Sequence, residues 1–139
     1  MLFRSVRRFS ENRDQLAKLF CEIDLAIMPS KTEGFGLTAL EALSAGLPIL
    51  VSSNSGFAEA LKKVPFGEMY VVEDFENAKE WAKKIKAVRQ KTRAQRLEEI
   101  KELRKMYEKK YSWEKQCERL VAKMTTLVNG MVSRRILCR

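Results

Sequence analysis

The sequence predicts an α/β fold: a parallel sheet of about three to four strands, helices on both of its faces, and a C-terminal half built of helices alone. Two short runs, residues 25–28 and 48–51, are continuously apolar, as strands are when both sheet faces are covered. About 19 residues separate them, ample for a helical crossover between parallel strands. After Asp74 the apolar residues keep only the helical period.

Taken in order, residues 2–8 read as a strand by the alternation Leu2, Arg4, Val6, Arg8. The competing reading is a mitochondrial presequence, since this start is Arg-rich and acid-free; it lacks the apolar core of a secretory signal. Ser10 is a candidate N-cap for a helix over about 11–22, with Leu16, Leu19, Phe20 and Ile23 on one face. The strand at 25–28 is closed by Pro29-Ser30. A loop with two glycines, 31–36, leads into a helix at 37–45, which Gly46 caps and Pro48 terminates. The strand at 48–51, a polar turn at 52–56, a short helix at 57–63 and a third strand at 69–72 follow. Phe75, Ala78, Trp81, Ala82, Ile85 and Val88 mark one face of the next helix. Thr92-x-x-Gln95 is a capping box that opens a helix through about 108, carrying Leu97, Ile100, Leu103 and Tyr107. Ser112 caps the last helix, whose Trp113, Cys117, Leu120, Val121, Met124, Leu127 and Val128 are expected to face inward. The domain is expected over 1–130, with 131–139 a basic tail.

At 139 residues the chain suits one domain, and 45% hydrophobic with 32% charged residues is globular composition. No apolar run approaches the ~20 residues of a membrane-spanning helix. Histidine is absent, so a histidine base or metal ligand cannot come from this chain. Cys21, Cys117 and Cys138 form neither a CxxC nor a disulfide framework, which argues against zinc and favours a reducing compartment, the cytoplasm. The net charge of +9 is uneven: residues 1–60 sum to −1 and residues 61–139 to +10. A basic half suits nucleic acid or an anionic membrane, but its commoner meaning is solvated helix faces. Stacking aromatics for single strands are not evident, so a nucleic-acid partner is not expected.

In open parallel sheets, ligands bind beyond the carboxyl ends of the strands. Loops 29–36 and 52–56 share that edge. The first runs into the helix at 37–45, where the N–H groups of Gly36, Leu37 and Thr38 should lack intrahelical partners and offer an anion site. Gly34 and Gly36 would let a phosphate approach the backbone; the plainer reading is that they turn the chain. Neither a P-loop nor a GxGxxG fingerprint is present. Glu33 lies in the loop and Glu41 one turn into the helix, leaning back toward the same mouth. Phosphate-binding amides between two carboxylates suit a sugar nucleotide. Paired acids also suit hydrolysis, and each glutamate can instead be an exposed acid, a cap or an ion-pair partner.

Residues 23–48 closely resemble the donor-site segment of retaining GT-B glycosyltransferases, the group 1 family. The mark is Glu33-Gly34-Phe35-Gly36-Leu37-Thr38-Ala39-Leu40-Glu41, two glutamates with seven residues between them. Asn54-Ser55-Gly56-Phe57-Ala58-Glu59 and Tyr111-Ser112-Trp113-Glu114 also resemble the family, and the likeness spans roughly 6–128. The resemblance implies a partial Rossmann-like domain, the C-terminal half of such an enzyme without its first two strands. It implies Glu33 as the catalytic-site residue contacting donor-sugar hydroxyls. Gly34, Phe35, Gly36, Leu37 and Thr38 would hold the donor phosphates, through the N–H groups of Phe35, Gly36 and Leu37, and Glu41 would bind the ribose. It implies a UDP-, GDP- or ADP-sugar donor, retention of configuration, no metal and no further cofactor. The Arg/Lys pair that holds the diphosphate in the family has no counterpart, since Arg4, Arg7, Arg8 and Lys31 do not sit in that motif.

The acceptor-binding half is also absent, so the chain is expected to bind the donor without transferring sugar by itself. The alternatives are a fragment, a half-gene, or an interaction module that kept the fold. Without its usual neighbours, strand 25–28 would expose an apolar edge. Either residues 2–8 pair with it or two copies join as a dimer, and the dimer is preferred.

Overall fold

The computed structural model describes residues 12–136. Helix α1 (Arg13–Glu22) begins at Asn12, whose side chain accepts the Asp14 N–H at 2.8 Å. The expected cap Ser10 and strand 2–8 lie outside the described residues. β1 (Ala26–Met28), α2 (Leu37–Ser44) and β2 (Ile49–Ser52) form the expected parallel crossover unit, with Ala26 paired to Ile49 and Met28 to Val51. α2 stops where its sequence says. Gly46 takes a left-handed φ of 78°, its N–H donates to the Leu43 carbonyl at 2.9 Å, and the Leu47 N–H returns to Ala42 at 3.0 Å. These are the two bonds of a Schellman cap.

α3 (Gly56–Lys62) starts at Ser55, whose hydroxyl accepts the Ala58 N–H at 3.1 Å. The third strand differs from expectation. Residues 69–72 do not form one strand: Gly67–Tyr70 wind into a 3₁₀ turn, and only β3 (Val71–Val72) pairs with β2. The cause is packing. Phe66 adopts φ 63° and Gly67 is pressed against the last turn of α3, so the chain has two residues left in reach of the ladder. The sheet order is β1-β2-β3, all parallel.

Side chains along β2 alternate between two cores. Ile49 and Val51 join Ala42 and Leu43 of α2, Phe57, Ala58 and Leu61 of α3, and Ile100 and Leu103 of α5 (Arg93–Lys110). Leu50 points the other way, to Val72 and Trp81, where α4 (Ala78–Gln90) covers the sheet. Trp81 also donates its indole N–H to the Phe75 carbonyl at 2.8 Å. The capping box of α5 forms as read, with Gln95 and Thr92 bonded reciprocally. Of the residues that mark the apolar faces of α4 and α5 in sequence, Ala78, Ala82 and Leu97 are exposed.

The larger correction is α6 (Trp113–Ile136). Trp113 is 81% exposed, and Leu120, Val121, Met124, Leu127 and Val128 are exposed with it; Cys117 is half-buried. Amphipathic period is a property of one helix, whereas burial needs a facing surface, which the described residues do not supply here.

Burial, and behind it the charge of Glu99, pushes the Tyr70 phenol up to about 12. An unfolded chain titrates the same phenol near 10. The stabilisation is therefore intact below pH 10 and drains away as pH climbs through 12, where the unfolded state binds fewer protons. Urea midpoints should fall more steeply across pH 10–12 for the parent than for Tyr70→Phe. Parallel curves would reject this assignment.

Candidate functional site

A cleft of about 370 Å³ opens at the carboxyl ends of β1 and β2. The loop after β1 contributes Ser30, Glu33 and Phe35 to its wall, and Gly36, Leu37 and Thr38 open α2 beside them. The opposite wall is Val51 and Ser52 of β2 with Ser55 of the following turn. The two loops that share this sheet edge in sequence thus share one cavity.

The two helices that meet the cleft end differently. At α3, Ser55 caps the Ala58 N–H, and the Gly56 and Phe57 N–H groups donate to the Gly34 and Phe35 carbonyls at 2.9 and 2.7 Å. At α2 no side chain caps the helix and no acid sits in the first turn. The first N–H groups with acceptors are Ala39 and Leu40, both bonded to the Gly36 carbonyl at 3.1 and 3.3 Å. Among the described residues, nothing accepts from Gly36, Leu37 or Thr38. Free N–H groups at the positive end of a helix dipole attract an anion. Gly36, at φ 96°, makes this turn without the strain a side chain would bring.

Of the residues singled out from sequence, Glu33, Phe35, Gly36, Leu37 and Thr38 line the cleft. Gly34 does not; its carbonyl is engaged by Gly56. Glu41 is exposed on α2 outside the lining, on the same side of the helix as Leu37 and Thr38. Its side chain, like helical side chains in general, leans toward the helix N-terminus. Sequence reasoning missed Ser52 and Ser55. Their signal was local: a hydroxyl at the end of a buried strand and another at a helix N-cap. Ser52 Oγ donates to the Met28 carbonyl at 3.1 Å and Ser55 Oγ to the Ser52 carbonyl at 3.2 Å. Among the described residues no three Cys, Asp or Glu side chains gather as a metal site, and no helix is long and apolar enough to cross a membrane.

The model of a family described as Family 4 Glycosyltransferase in conflict systems matches residues 3–120. An uncharacterised glycosyltransferase of Methanocaldococcus jannaschii is 47% identical over 51 residues, 37% of this chain and 13% of that protein. A D-inositol 3-phosphate glycosyltransferase of an Arthrobacter strain is 34% identical over 77 residues, 55% of this chain and 18% of the relative. The O-antigen biosynthesis glycosyltransferase WclY of Escherichia coli is 33% identical over 69 residues, 50% and 18% of the two chains. The chain thus spans less than a fifth of these relatives' length. No solved structure matches it significantly.

Proposed function

Since the chain belongs to the family 4 glycosyltransferases found in conflict systems, we propose that its cleft holds the diphosphate of a nucleotide-sugar donor for a retaining transfer. The observation that carries this reading is the uncapped start of α2, with its free N–H groups directly beside Glu33. The N–H groups of Phe35, Gly36 and Leu37 take the phosphate oxygens. Glu33 accepts from hydroxyls of the donor sugar, and Glu41, one turn along α2, accepts from the ribose.

As the sugar–phosphate bond breaks, negative charge grows on the departing diphosphate. Amides fixed before the reaction stabilise that charge without reorganising. The nucleotide is UDP, GDP or ADP. The acceptor is held by a second half, or a second copy of the chain, that faces the cleft from outside the described residues. Cysteine usage supports a cytoplasmic setting.

Calorimetry of the chain with UDP, GDP and ADP, free and sugar-linked, tests the reading. Heat with at least one nucleotide is expected. Silence at millimolar concentration of all of them would sink it and favour a non-catalytic interaction module. Glu41→Ala keeps a strong helix former in α2 and removes one charge-assisted hydrogen bond, about 1.5–3 kcal/mol. Affinity should therefore drop by about one to two orders of magnitude, with the circular dichroism spectrum unchanged. Parental affinity in this variant would withdraw the ribose assignment.

A further inference from the structure

We infer that the turn after β2 is a clamp that sets the shape of the loop after β1, with Asn54 and Gly56 as its positioning residues. Four hydrogen bonds join β1 and its loop to the stretch from the end of β2 to the start of α3, and the latter supplies every donor. Ser52 Oγ donates to the Met28 carbonyl at 3.1 Å and Asn54 Nδ2 to that of Lys31. The Gly56 N–H donates to Gly34 at 2.9 Å and the Phe57 N–H to Phe35 at 2.7 Å. Donors and acceptors advance together along the chain, so the lacing starts at the ends of β1 and β2 and continues beyond the sheet.

The lacing aims the amides. The Phe35 carbonyl and the Gly36 N–H belong to one planar trans peptide and point in opposite directions. Holding that carbonyl on Phe57 turns the Gly36 N–H away from α3. Holding the Gly34 carbonyl on Gly56 does the same for the Phe35 N–H. The functional half of this inference rests on the donor-site reading above, because these are the amides assigned to the phosphates.

Gly56 is where the two segments come closest. A Cβ on it would lie 2.9 Å from the Gly34 carbonyl oxygen and 3.1 Å from the Phe35 ring, so any side chain pushes the loop off the turn. Asn54 bears a different mark. Its Oδ1 is buried and has no partner among the described residues, while its Nδ2 engages Lys31. A buried acceptor left unmet is a cost, and here it accompanies the placing of one donor. Asn54→Ala therefore deletes a bond and a penalty together, leaving the fold near parental stability with a freer loop. Asn54→Asp keeps the shape but turns an acceptor toward the Lys31 carbonyl.

Hydrogen exchange and calorimetry on the full chain test the clamp separately from the donor reading. In Asn54→Ala, Asn54→Asp and Gly56→Ala, the clamp's own donor amides at 56 and 57 should exchange roughly tenfold faster while those of α5 stay as in the parent. Affinity for whichever of UDP, GDP and ADP the parent binds should fall roughly tenfold, with the melting temperature of Asn54→Ala unchanged. Exchange at 56 and 57 equal to the parent's in all three variants would overturn the inference. So would faster exchange there with parental affinity for nucleotide. If the parent binds none of UDP, GDP and ADP, the donor reading falls alone, and the exchange rates still decide whether the turn holds the loop.

Discussion

Phe57→Ala is expected to cost about 3–5 kcal/mol of stability, the range for deleting a buried aromatic ring. Phe57 is fully buried. Its ring stands edge-on to Phe35 at 6.0 Å and tilted against Tyr107 at 5.6 Å, and Tyr107 in turn lies 4.7 Å from Tyr111. One side chain thus joins the cleft loop, α3 and α5. A domain of this size holds only about 5–15 kcal/mol in total, so the variant should unfold at a much lower urea concentration. A loss under about 1 kcal/mol would mean that the ring does not pack as described.

Gly67→Ala should come close behind, at about 3 kcal/mol, the upper end for forcing an atom into a packed site. A Cβ at this position would sit 1.9 Å from the Leu61 carbonyl oxygen and 2.7 Å from its carbon. Both are backbone atoms, so no rotamer change relieves the overlap. The 3₁₀ turn would have to leave α3, and β3, two residues long, would be drawn from its register with β2. Gly130→Ala is the control of opposite sign. Nothing lies within 4 Å of its Cβ, and alanine is worth roughly 0.5–1 kcal/mol over glycine inside a helix. Thermal melting of both variants decides the matter: equal shifts would show that glycine's flexibility, not contact with Leu61, sets the cost.

Much of this architecture could be read from the chain because its signals are local. Gly46 and Pro48 end α2, Thr92 and Gln95 open α5, and two apolar runs with a helix between them make a parallel crossover. The errors fall where a distant surface decides. Nothing near Met69 announces that Gly67 must touch Leu61, and this contact converts half of an expected strand into a 3₁₀ turn. The spacing of Leu120, Met124 and Leu127 says that α6 has an apolar side but not that it lies uncovered.

The cleft divides in the same way. Its loop after β1 was legible because a loop with two glycines running into a helix start after a buried strand is a local pattern, and the family match agrees with the resemblance carried by Glu33 and Glu41. Ser52, Ser55 and Asn54 were not, since their hydrogen bonds cross between segments more than twenty residues apart or follow backbone turns that composition does not encode.

The order β1-β2-β3, in which each strand neighbours the next in sequence, also sets how the sheet can assemble. Ala26 meets Ile49 across 23 residues and Val51 meets Val71 across 20. Loop closure costs (3/2)RT ln n, so the two closures differ by only about 0.1 kcal/mol of chain entropy. Neither side of β2 has a head start from chain length. The order of folding is left to side-chain burial, and both closures are short enough to keep the contacts local and the search brief. The central strand can recruit its partners from either direction, as a zipper started in the middle.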